Sequence, residues 1–275
     1  MHTDSKTKQK THVSAETHDA VKADRILAID VGGTGLKAAV ISGTGEMLTE
    51  RARVDTPHPA KPEIVIKTLI ELVKPLVAQQ PPSHISIGFP GVVRDSVVLT
   101  APNLGNAFWK GVPLAQKISE SVGNVPARMI NDAEMQGLAA IEGRGIELVL
   151  TLGTGAGTAL FRDGELMPHL DLSHHPITKD KNYDEYIGNG EGENRQEALE
   201  QARRACAGRA RDRRKLRQVV DRRRQLGASQ VRSLPDNVEV VDNSKGIEGG
   251  ARLWHARSVR ETRQLPHFNQ REGSH

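Results

Sequence analysis

The chain has 275 residues, of which 38 are Lys or Arg and 34 are Asp or Glu, and its single cysteine is Cys206. One cysteine excludes a disulfide framework and fits a reducing cytosol, and no apolar run reaches membrane-spanning length. We therefore expect a cytoplasmic protein of one large or two small domains, with residues 1–23 and 255–275 as disordered tails.

The first predicted elements are two strands joined by a glycine-rich turn. Apolar residues 26–29 lead into residues 30–37, Asp-Val-Gly-Gly-Thr-Gly-Leu-Lys, and residues 38–41 are again strand-like. Glycines there allow backbone N–H groups to converge on an anion, because no Cβ blocks the approach of a phosphate. The spacing matches neither the phosphate loop of common NTPases nor the dinucleotide fingerprint. A single turn of this kind is also typical of an ordinary hairpin.

Helical and strand-like patterns then alternate, which predicts a three-layer α/β domain. In order, they predict a helix over residues 64–76, strands over 85–89, 92–93 and 97–99, a helix over 113–122, a strand over 127–130 and a helix over 133–141. Either Asn131 or Asp132 is placed to cap the last of these helices. A carboxylate between a strand and a helix is rigidly aimed, as a general base must be. The alternative for Asp132 is a cap without a catalytic role.

A second glycine-rich loop, residues 152–158, follows the strand-like residues 148–151. A hairpin around the turn Asp163-Gly164 comes after it. Two such loops, far apart in the chain, indicate two halves that close on one polyphosphate group. Phosphoryl transfer requires amide-rich loops, a carboxylate for a metal and one base, and the sequence offers all three.

The composition changes between residues 190 and 233. This Arg-rich segment holds thirteen Lys and Arg against six Asp and Glu, and it lacks Ile, Phe, Trp, Tyr and Met, so the rest of the chain is mildly acidic. We expect it to be poorly packed or arbitrarily helical, because it cannot bury an ordinary core face. A basic helix that binds nucleic acid is the alternative, but interleaved aromatic residues and a reader motif are missing. After it, a strand is predicted over residues 238–241, and residues 246–254 suit a turn followed by a final helix.

Together these motifs resemble the ROK family of sugar kinases, within the actin-like ATPase superfamily. The likeness covers roughly residues 24–189 and, more weakly, 234–254. Five local matches carry it, namely residues 30–37, residues 89–93, Asn103 with Trp109, residues 130–133 and residues 152–158. The Pro-Gly-Val-Val sequence after Phe89 is most similar to the branch that contains polyphosphate glucokinases.

The resemblance implies a two-lobed actin-like α/β fold of the ribonuclease H type. One lobe would extend over residues 24–130 and the other over 131–254, the second left incomplete by the Arg-rich segment. It also implies transfer of a terminal phosphoryl group from ATP or polyphosphate to a hexose, with Mg²⁺ as cofactor and the 6-OH of glucose as the expected acceptor. The alternative is a non-catalytic or frame-damaged relative that binds sugar. Monomer and homodimer both stay open.

The resemblance implies a role for each matched position. Asp132 would be the general base, and Asp30 would hold the metal through water. The phosphate donor would meet the two glycine-rich loops, through Asp30, Gly32, Gly33, Thr34, Gly35, Lys37, Gly153, Thr154, Gly155, Gly157 and Thr158. The sugar would meet Pro90, Gly91, Asn103, Asn131, Asp171 and His174.

Two departures from the family pattern bear on function. Asp171 stands where many members have Glu, and no cysteine cluster follows His174, so we expect no structural zinc. The Arg-rich segment lacks the family's triple-glycine turn against the nucleotide base. Moving the reading frame of residues 221–226, Asp-Arg-Arg-Arg-Gln-Leu, by one base permits Ile-Gly-Gly-Gly-Asn. This pattern suggests two compensating frame changes, one near Gly190 and one before Leu234.

Overall fold

The computed structural model describes residues 23–152, 156–169, 175–176, 179–180, 182, 216–220 and 238–255. Its strands are β1 (Arg25–Val31), β2 (Gly35–Ser42), β3 (Ala52–Asp55), β4 (His84–Phe89), β5 (Val93–Arg94), β6 (Val97–Val98), β7 (Ala127–Asn131), β8 (Ile146–Leu152), β9 (Ala156–Arg162), β10 (Glu165–Leu166), β11 (Leu216–Val220) and β12 (Val238–Asp242). Its α-helices are α1 (Pro62–Gln79), α2 (Asn106–Trp109), α3 (Leu114–Ser121), α4 (Asp132–Ala140) and α5 (Gly249–His255), and a 3₁₀ helix over Asn243–Glu248 precedes α5. Every helix in this part of the chain is too short or too polar to span a membrane.

The first sheet has five strands in the order β3-β2-β1-β4-β7. β1 pairs with β2 antiparallel and with β4 parallel, and β4 pairs with β7 parallel. Successive side chains of a strand point to opposite faces of the sheet. Leu27 and Ile29 face α1 and α3 in one apolar cluster, whereas Ile26 and Ala28 face the C-terminal helix in another. Burial on both faces explains why β1 is an almost unbroken apolar run.

The second sheet has the strand order β10-β9-β8-β11-β12. β8 and β9 pair antiparallel over their full length, and β11 pairs parallel with both β8 and β12. Helix α4 packs on this sheet through Leu138, in one apolar cluster with Val149 and Phe161. The Phe161 ring lies 2.7 Å from the point that a Cβ on Gly137 would occupy. A glycine in α4 therefore permits the close approach of helix and sheet.

The C-terminal helix α5 returns to the first sheet after the Arg-rich segment. Trp254 Nε1 donates to Ser86 Oγ at 2.9 Å, and Ser86 Oγ donates to the carbonyl oxygen of Gly250 at 2.7 Å. The guanidinium of Arg128 lies 4.2 Å from the centre of the Trp254 ring and donates to the carbonyl oxygen of Leu253. Because α5 also packs against α4, it connects the first sheet to the helix that covers the second.

Most predicted elements are confirmed, and the differences have local causes. The helix expected over residues 133–141 begins at Asp132, because Asn131 is its N-cap. Leu216–Val220 forms β11, so these five residues of the Arg-rich segment are not helical, whereas the alternative expectation of poor packing stays a prediction. The adjacent valines of β11 favour a strand. The rest of residues 190–233 and nearly all of both predicted tails lie outside the described residues, although the last residue of α5, His255, was assigned to a tail.

The predicted boundary between two lobes falls at the junction of β7 and α4. β7 belongs to the first sheet, whereas α4 packs on the second. The backbone therefore leaves the first sheet at Asn131 and enters the second at Ile146, with α4 between them. The division into residues 24–130 and 131–254 stays a prediction, since α5 contacts both parts.

Candidate active site

Asp30 and Lys37 form an ion pair near the end of β1. Lys37 Nζ lies 2.6 Å from Asp30 Oδ2, and the two side chains are 26% and 16% exposed. They are partners on neighbouring antiparallel strands, so both side chains point to the same face of the first sheet. Partial burial strengthens their attraction relative to that of a fully solvated pair. The pair places a fixed cation and a fixed carboxylate beside the first glycine-rich turn.

Hydrogen bonds hold the first glycine-rich turn closed between β1 and β2. The amide of Gly32 donates to the carbonyl oxygen of Gly35 at 3.0 Å, and a Cβ on Gly32 would lie only 2.8 Å from that oxygen. The buried Thr56, the residue after β3, holds this turn through two hydrogen bonds. Its hydroxyl donates to the carbonyl oxygen of Gly32 at 2.6 Å, and its amide donates to that of Thr34 at 3.4 Å.

A reciprocal cap fixes the backbone around Asp132, the first residue of α4. Asn131 Oδ1 accepts from the amide of Ala133 at 2.9 Å, and Glu134 Oε2 accepts from the amide of Asn131 at 3.0 Å. These are the two halves of a capping box. The carboxylate of Asp132 also accepts from the amide of Ala133 at 2.8 Å. The Asp132 carboxyl is therefore held in one direction.

The surroundings of Asp132 raise the pKa of its carboxyl from 3.8 to about 7. Loss of solvation is the largest cause, because protein surrounds the group although its side chain keeps partial exposure. The negative charge of Asp30 is the next cause. The backbone explains this proximity: the Cα of Asp132 lies 3.4 Å from the point that a Cβ on Gly88 would occupy, and Gly88 is the β4 partner of Asp30. A carboxyl with a pKa near 7 suits a general base at neutral pH.

The predicted sugar residues within the described chain lie next to the same elements. The Cβ of the exposed Asn103 is 3.3 Å from the point that a Cβ on Gly33 would occupy, so Asn103 contacts the first glycine-rich turn. Asn131 Nδ2 donates to the carbonyl oxygen of Gly91 at 3.1 Å, which ties the turn Pro90-Gly91 to the start of α4. The side chain of the buried Asn131 thus bonds to the backbone of Gly91 through Nδ2 and to that of Ala133 through Oδ1, whereas Asn103 is exposed to solvent.

The second glycine-rich loop lies partly within the described residues. Gly157 and Thr158 belong to β9, whereas the predicted residues outside the described ones are Gly153, Thr154, Gly155, Asp171 and His174. A Cβ on Gly157 would lie 2.6 Å from the Cβ of Ala133. The start of β9 therefore lies against the first turn of α4, beside Asp132.

Three residues of this region were not predicted from the sequence. Glu134 Oε1 lies 2.8 Å from Nδ1 of His169, with both side chains largely buried, so the chain after β10 is attached to the first turn of α4. Glu134 stands three residues after Asn131, which is a capping-box signal that could have been read. His169 and Thr56 carry no local signal, because each contacts a residue far away in the sequence.

The site fits magnesium without a dedicated metal cage. Among the described residues there is no group of three or more His, Cys, Asp and Glu suited to a metal ion. Mg²⁺ does not need one, because it usually keeps several waters and binds one or two carboxylates together with substrate phosphates. Asp30 is such a carboxylate, and it uses Oδ2 for Lys37 at the side of the glycine-rich turn. The expectation of no zinc stays a prediction.

Comparison with known proteins identifies related chains. Residues 26–168, more than half of the chain, match the model of the ROK family. Over 168 residues the chain is 33% identical to polyphosphate glucokinase of Mycobacterium tuberculosis, and the matched region covers 58% of this chain and 62% of that protein. Over 147 residues it is 35% identical to N-acetylmannosamine kinase of Escherichia coli, and the matched region covers 51% of this chain and 48% of that protein. The matches thus span less than two thirds of these relatives.

Solved structures share the fold. The inorganic polyphosphate/ATP-glucomannokinase from Arthrobacter sp. strain KM superposes with a TM-score of 0.67 and 28% identity, covering 83% of this chain and 97% of that chain. A ROK family glucokinase from Streptomyces griseus, solved with glucose and AMPPNP, gives a TM-score of 0.61 and 19% identity over 83% of this chain and 98% of that chain. These similarities confirm the predicted actin-like α/β fold.

Proposed function

The chain belongs to the ROK family, and we propose that it is a sugar kinase that moves a terminal phosphoryl group to a hexose hydroxyl. One observation carries the proposal. The pKa of the Asp132 carboxyl is raised to about 7. The Cα of Asp132 lies over β4, and the neighbouring strand β1 carries Asp30, which is ion-paired with Lys37 beside the first glycine-rich turn. A proton acceptor next to an anion site is the combination that phosphoryl transfer to an alcohol requires.

In the proposed reaction, the sugar hydroxyl attacks the terminal phosphorus of the donor while the Asp132 carboxylate accepts the hydroxyl proton. A bond forms between the sugar oxygen and phosphorus, and the bond from phosphorus to the leaving phosphate oxygen breaks. Amides of the turn at residues 33–35 and the Lys37 ammonium orient the phosphoryl group and offset its negative charge. Magnesium held through water by Asp30 would neutralise further phosphate charge. Turnover should increase as the pH rises through about 7, because Asp132 must be ionised.

We propose the 6-OH of glucose as the acceptor, and ATP or polyphosphate as the donor. The relatives named polyphosphate glucokinase and polyphosphate/ATP-glucomannokinase support this choice. Asn103 and the turn Pro90-Gly91 would contact the sugar together with Asp171 and His174. The remaining donor contacts would come from residues 153–158. The lack of any cysteine pair in the sequence suits work in the cytoplasm.

The test is a coupled assay for glucose 6-phosphate on the full chain, with ATP and with polyphosphate as donors. Asp132→Asn should lower kcat by about 10²-fold or more, because it keeps the shape and hydrogen bonds of the side chain but loses its basicity. Glucose affinity, measured by calorimetry, should change little. Asp163→Asn is the matched control, since it removes the same charge from an exposed turn. Near-full turnover by Asp132→Asn would show that another group is the base.

A non-catalytic sugar-binding protein is the second candidate. The Arg-rich segment favours this candidate, because the segment stands where the resemblance implies a triple-glycine turn in the second lobe. In that case the parent chain would bind glucose in the calorimeter but produce no glucose 6-phosphate with either donor. N-acetylmannosamine should be assayed beside glucose, since one of the relatives is an N-acetylmannosamine kinase.

A further inference from the structure

A row of polar side chains crosses one face of the first sheet. Asp30 on β1 is the partner of Lys37 on β2, and Lys37 is in turn the partner of Arg53 on β3. Partner residues on neighbouring strands point to the same face, so the three side chains form a line. Strands are about 4.8 Å apart, and Asp132 lies over β4 at the inner end of this line. Arg53 stands at the outer end, because β3 is an edge strand of this sheet.

The guanidinium of Arg53 lies over the end of the first glycine-rich turn. Its Nε and Nη2 are 3.3 Å and 3.6 Å from the point that a Cβ on Gly35 would occupy. Gly35 and Lys37 are two residues apart on β2, so the guanidinium covers the same face on which Lys37 points toward Asp30. A side chain on Gly35 would displace it. The guanidinium is thus next to the predicted phosphate turn.

The charge of Arg53 is only weakly compensated. Among the described residues its ionic partner is Asp55, at 3.6 Å, and the side chains of Arg53 and Asp55 are 50% and 90% exposed. Such exposed pairs contribute little and are readily exchanged. Lys37, in contrast, is held by Asp30 at 2.6 Å. Of the two cations in the row, Arg53 is therefore the less tightly paired, and its planar fork matches phosphate oxygens.

We propose that Arg53 binds a phosphate of the donor that is not transferred, one or more positions along the phosphate chain from the phosphoryl group that reacts. This inference rests on the proposed kinase function and extends its donor site from the glycine-rich turn to β3. A longer polyphosphate has more phosphates within reach of this edge than a single nucleotide does.

Calorimetry with inorganic tripolyphosphate on the full chain tests the proposal without requiring turnover. Arg53→Gln should weaken tripolyphosphate binding about tenfold, since one charge-assisted contact is lost. Arg53→Lys should recover part of the affinity because it restores the charge without the fork. Arg25→Gln is the matched control, because it removes an exposed Arg at the opposite end of β1 and should change affinity less than about twofold. Glucose binding and Tm should stay as in the parent.

Kinetics supply the second readout. Arg53→Gln should raise the KM for the donor with kcat nearly unchanged, because Arg53 does not touch the reacting atoms. A loss with both ATP and polyphosphate places the contact within the first three phosphates, and a loss with polyphosphate alone places it farther along the chain; either supports the proposal. Unchanged tripolyphosphate affinity in Arg53→Gln, with a parent that binds it, overturns the Arg53 site and leaves the kinase proposal standing. A parent that binds neither tripolyphosphate nor glucose overturns both.

Discussion

At the scale of single residues, Asp132 binds a proton more tightly in the folded protein than in the unfolded chain. Its pKa rises from 3.8 to about 7 on folding, mainly because the group loses solvation. As the pH increases from about 4 to about 7, the unfolded chain releases this proton and the folded chain keeps it. The contribution of Asp132 to the free energy of unfolding is therefore full at low pH and is lost as the pH rises through that window. The proposed base thus makes the folded protein less stable at neutral pH.

Asp132→Asn should consequently stabilise the protein at pH 8 more than at pH 5. The Asn side chain keeps an oxygen for the amide of Ala133 but never ionises, so it escapes the cost of a poorly solvated charge. We expect a gain in Tm on the order of a few degrees at pH 8 and a smaller one at pH 5. Thermal unfolding of parent, Asp132→Asn and the control Asp163→Asn at both pH values measures it. An equal gain at the two pH values would contradict the raised pKa.

Thr56 offers a second prediction at this scale, because its hydroxyl holds the carbonyl of Gly32 at 2.6 Å. Thr56→Val preserves the shape but leaves that carbonyl without its partner, a change that costs about 1–3 kcal/mol. The first glycine-rich turn should then lose its fixed geometry, and the KM for either phosphate donor should rise several-fold with a smaller effect on the KM for glucose. Thr56→Ser is the control that keeps the hydroxyl. Equal donor KM values for the Val and Ser variants would show that this hydrogen bond does not shape the donor site.

At the scale of elements, α5 is docked by two glycines that meet different obstacles. A Cβ on Gly249 would collide with the carbonyl oxygen of Met135 in α4, whereas one on Gly250 would lie 3.0 Å from the Cβ of Ser86 and 3.2 Å from that of Ala28. A backbone oxygen inside a helix cannot move aside easily. Contacts of 3.0–3.2 Å can be relieved by a shift of a few tenths of an ångström. The first glycine is therefore the more restrictive of the two.

Gly249→Ala should lower the free energy of unfolding more than Gly250→Ala does. Overpacking typically costs about 1–3 kcal/mol, and we expect the two variants near the upper and lower ends of that range. Urea unfolding followed by the combined fluorescence of Trp109 and Trp254 measures both. The reverse order of the two variants would show that α5 is not held against α4 as the structure has it.

The elements also show which features can be read from the sequence. The sequence of residues 26–41 predicts β1 and β2, because two apolar runs are separated by a short glycine-rich segment that is typical of a turn between strands. The role of Thr56 could not be predicted, since its partner Gly32 lies in the turn between β1 and β2, and only the fold brings the two residues together. Strand β11 was not predicted, because its short sequence, which ends in two valines, lies between arginine-rich stretches that show no strand pattern. Its place between β8 and β12 comes from pairing with distant strands.

At the scale of the whole molecule, the ends of β8 and β11 bring the second glycine-rich loop and the Arg-rich segment together. Val220, the last residue of β11, is the partner of Leu152, the last residue of β8, and the strands are parallel. The carboxyl ends of parallel strands meet at one edge of a sheet, where ligands of α/β proteins bind. Residues 221–225 lie outside the described residues, but they follow Val220 directly, just as the second loop follows Leu152. We therefore propose that the sequence after Val220 affects the choice of donor.

The last prediction concerns that choice. Three arginines directly after β11 favour a donor that is all phosphate, whereas the triple-glycine turn that the resemblance implies would leave room for a nucleotide base. A variant with Ile-Gly-Gly-Gly-Asn at residues 221–225 should gain kcat/KM for ATP relative to polyphosphate by about tenfold or more, the value of one lost phosphate contact. The measurement is the ratio of kcat/KM for the two donors in the parent and in the variant. An unchanged ratio, with both proteins active, would show that the segment after β11 does not select the donor.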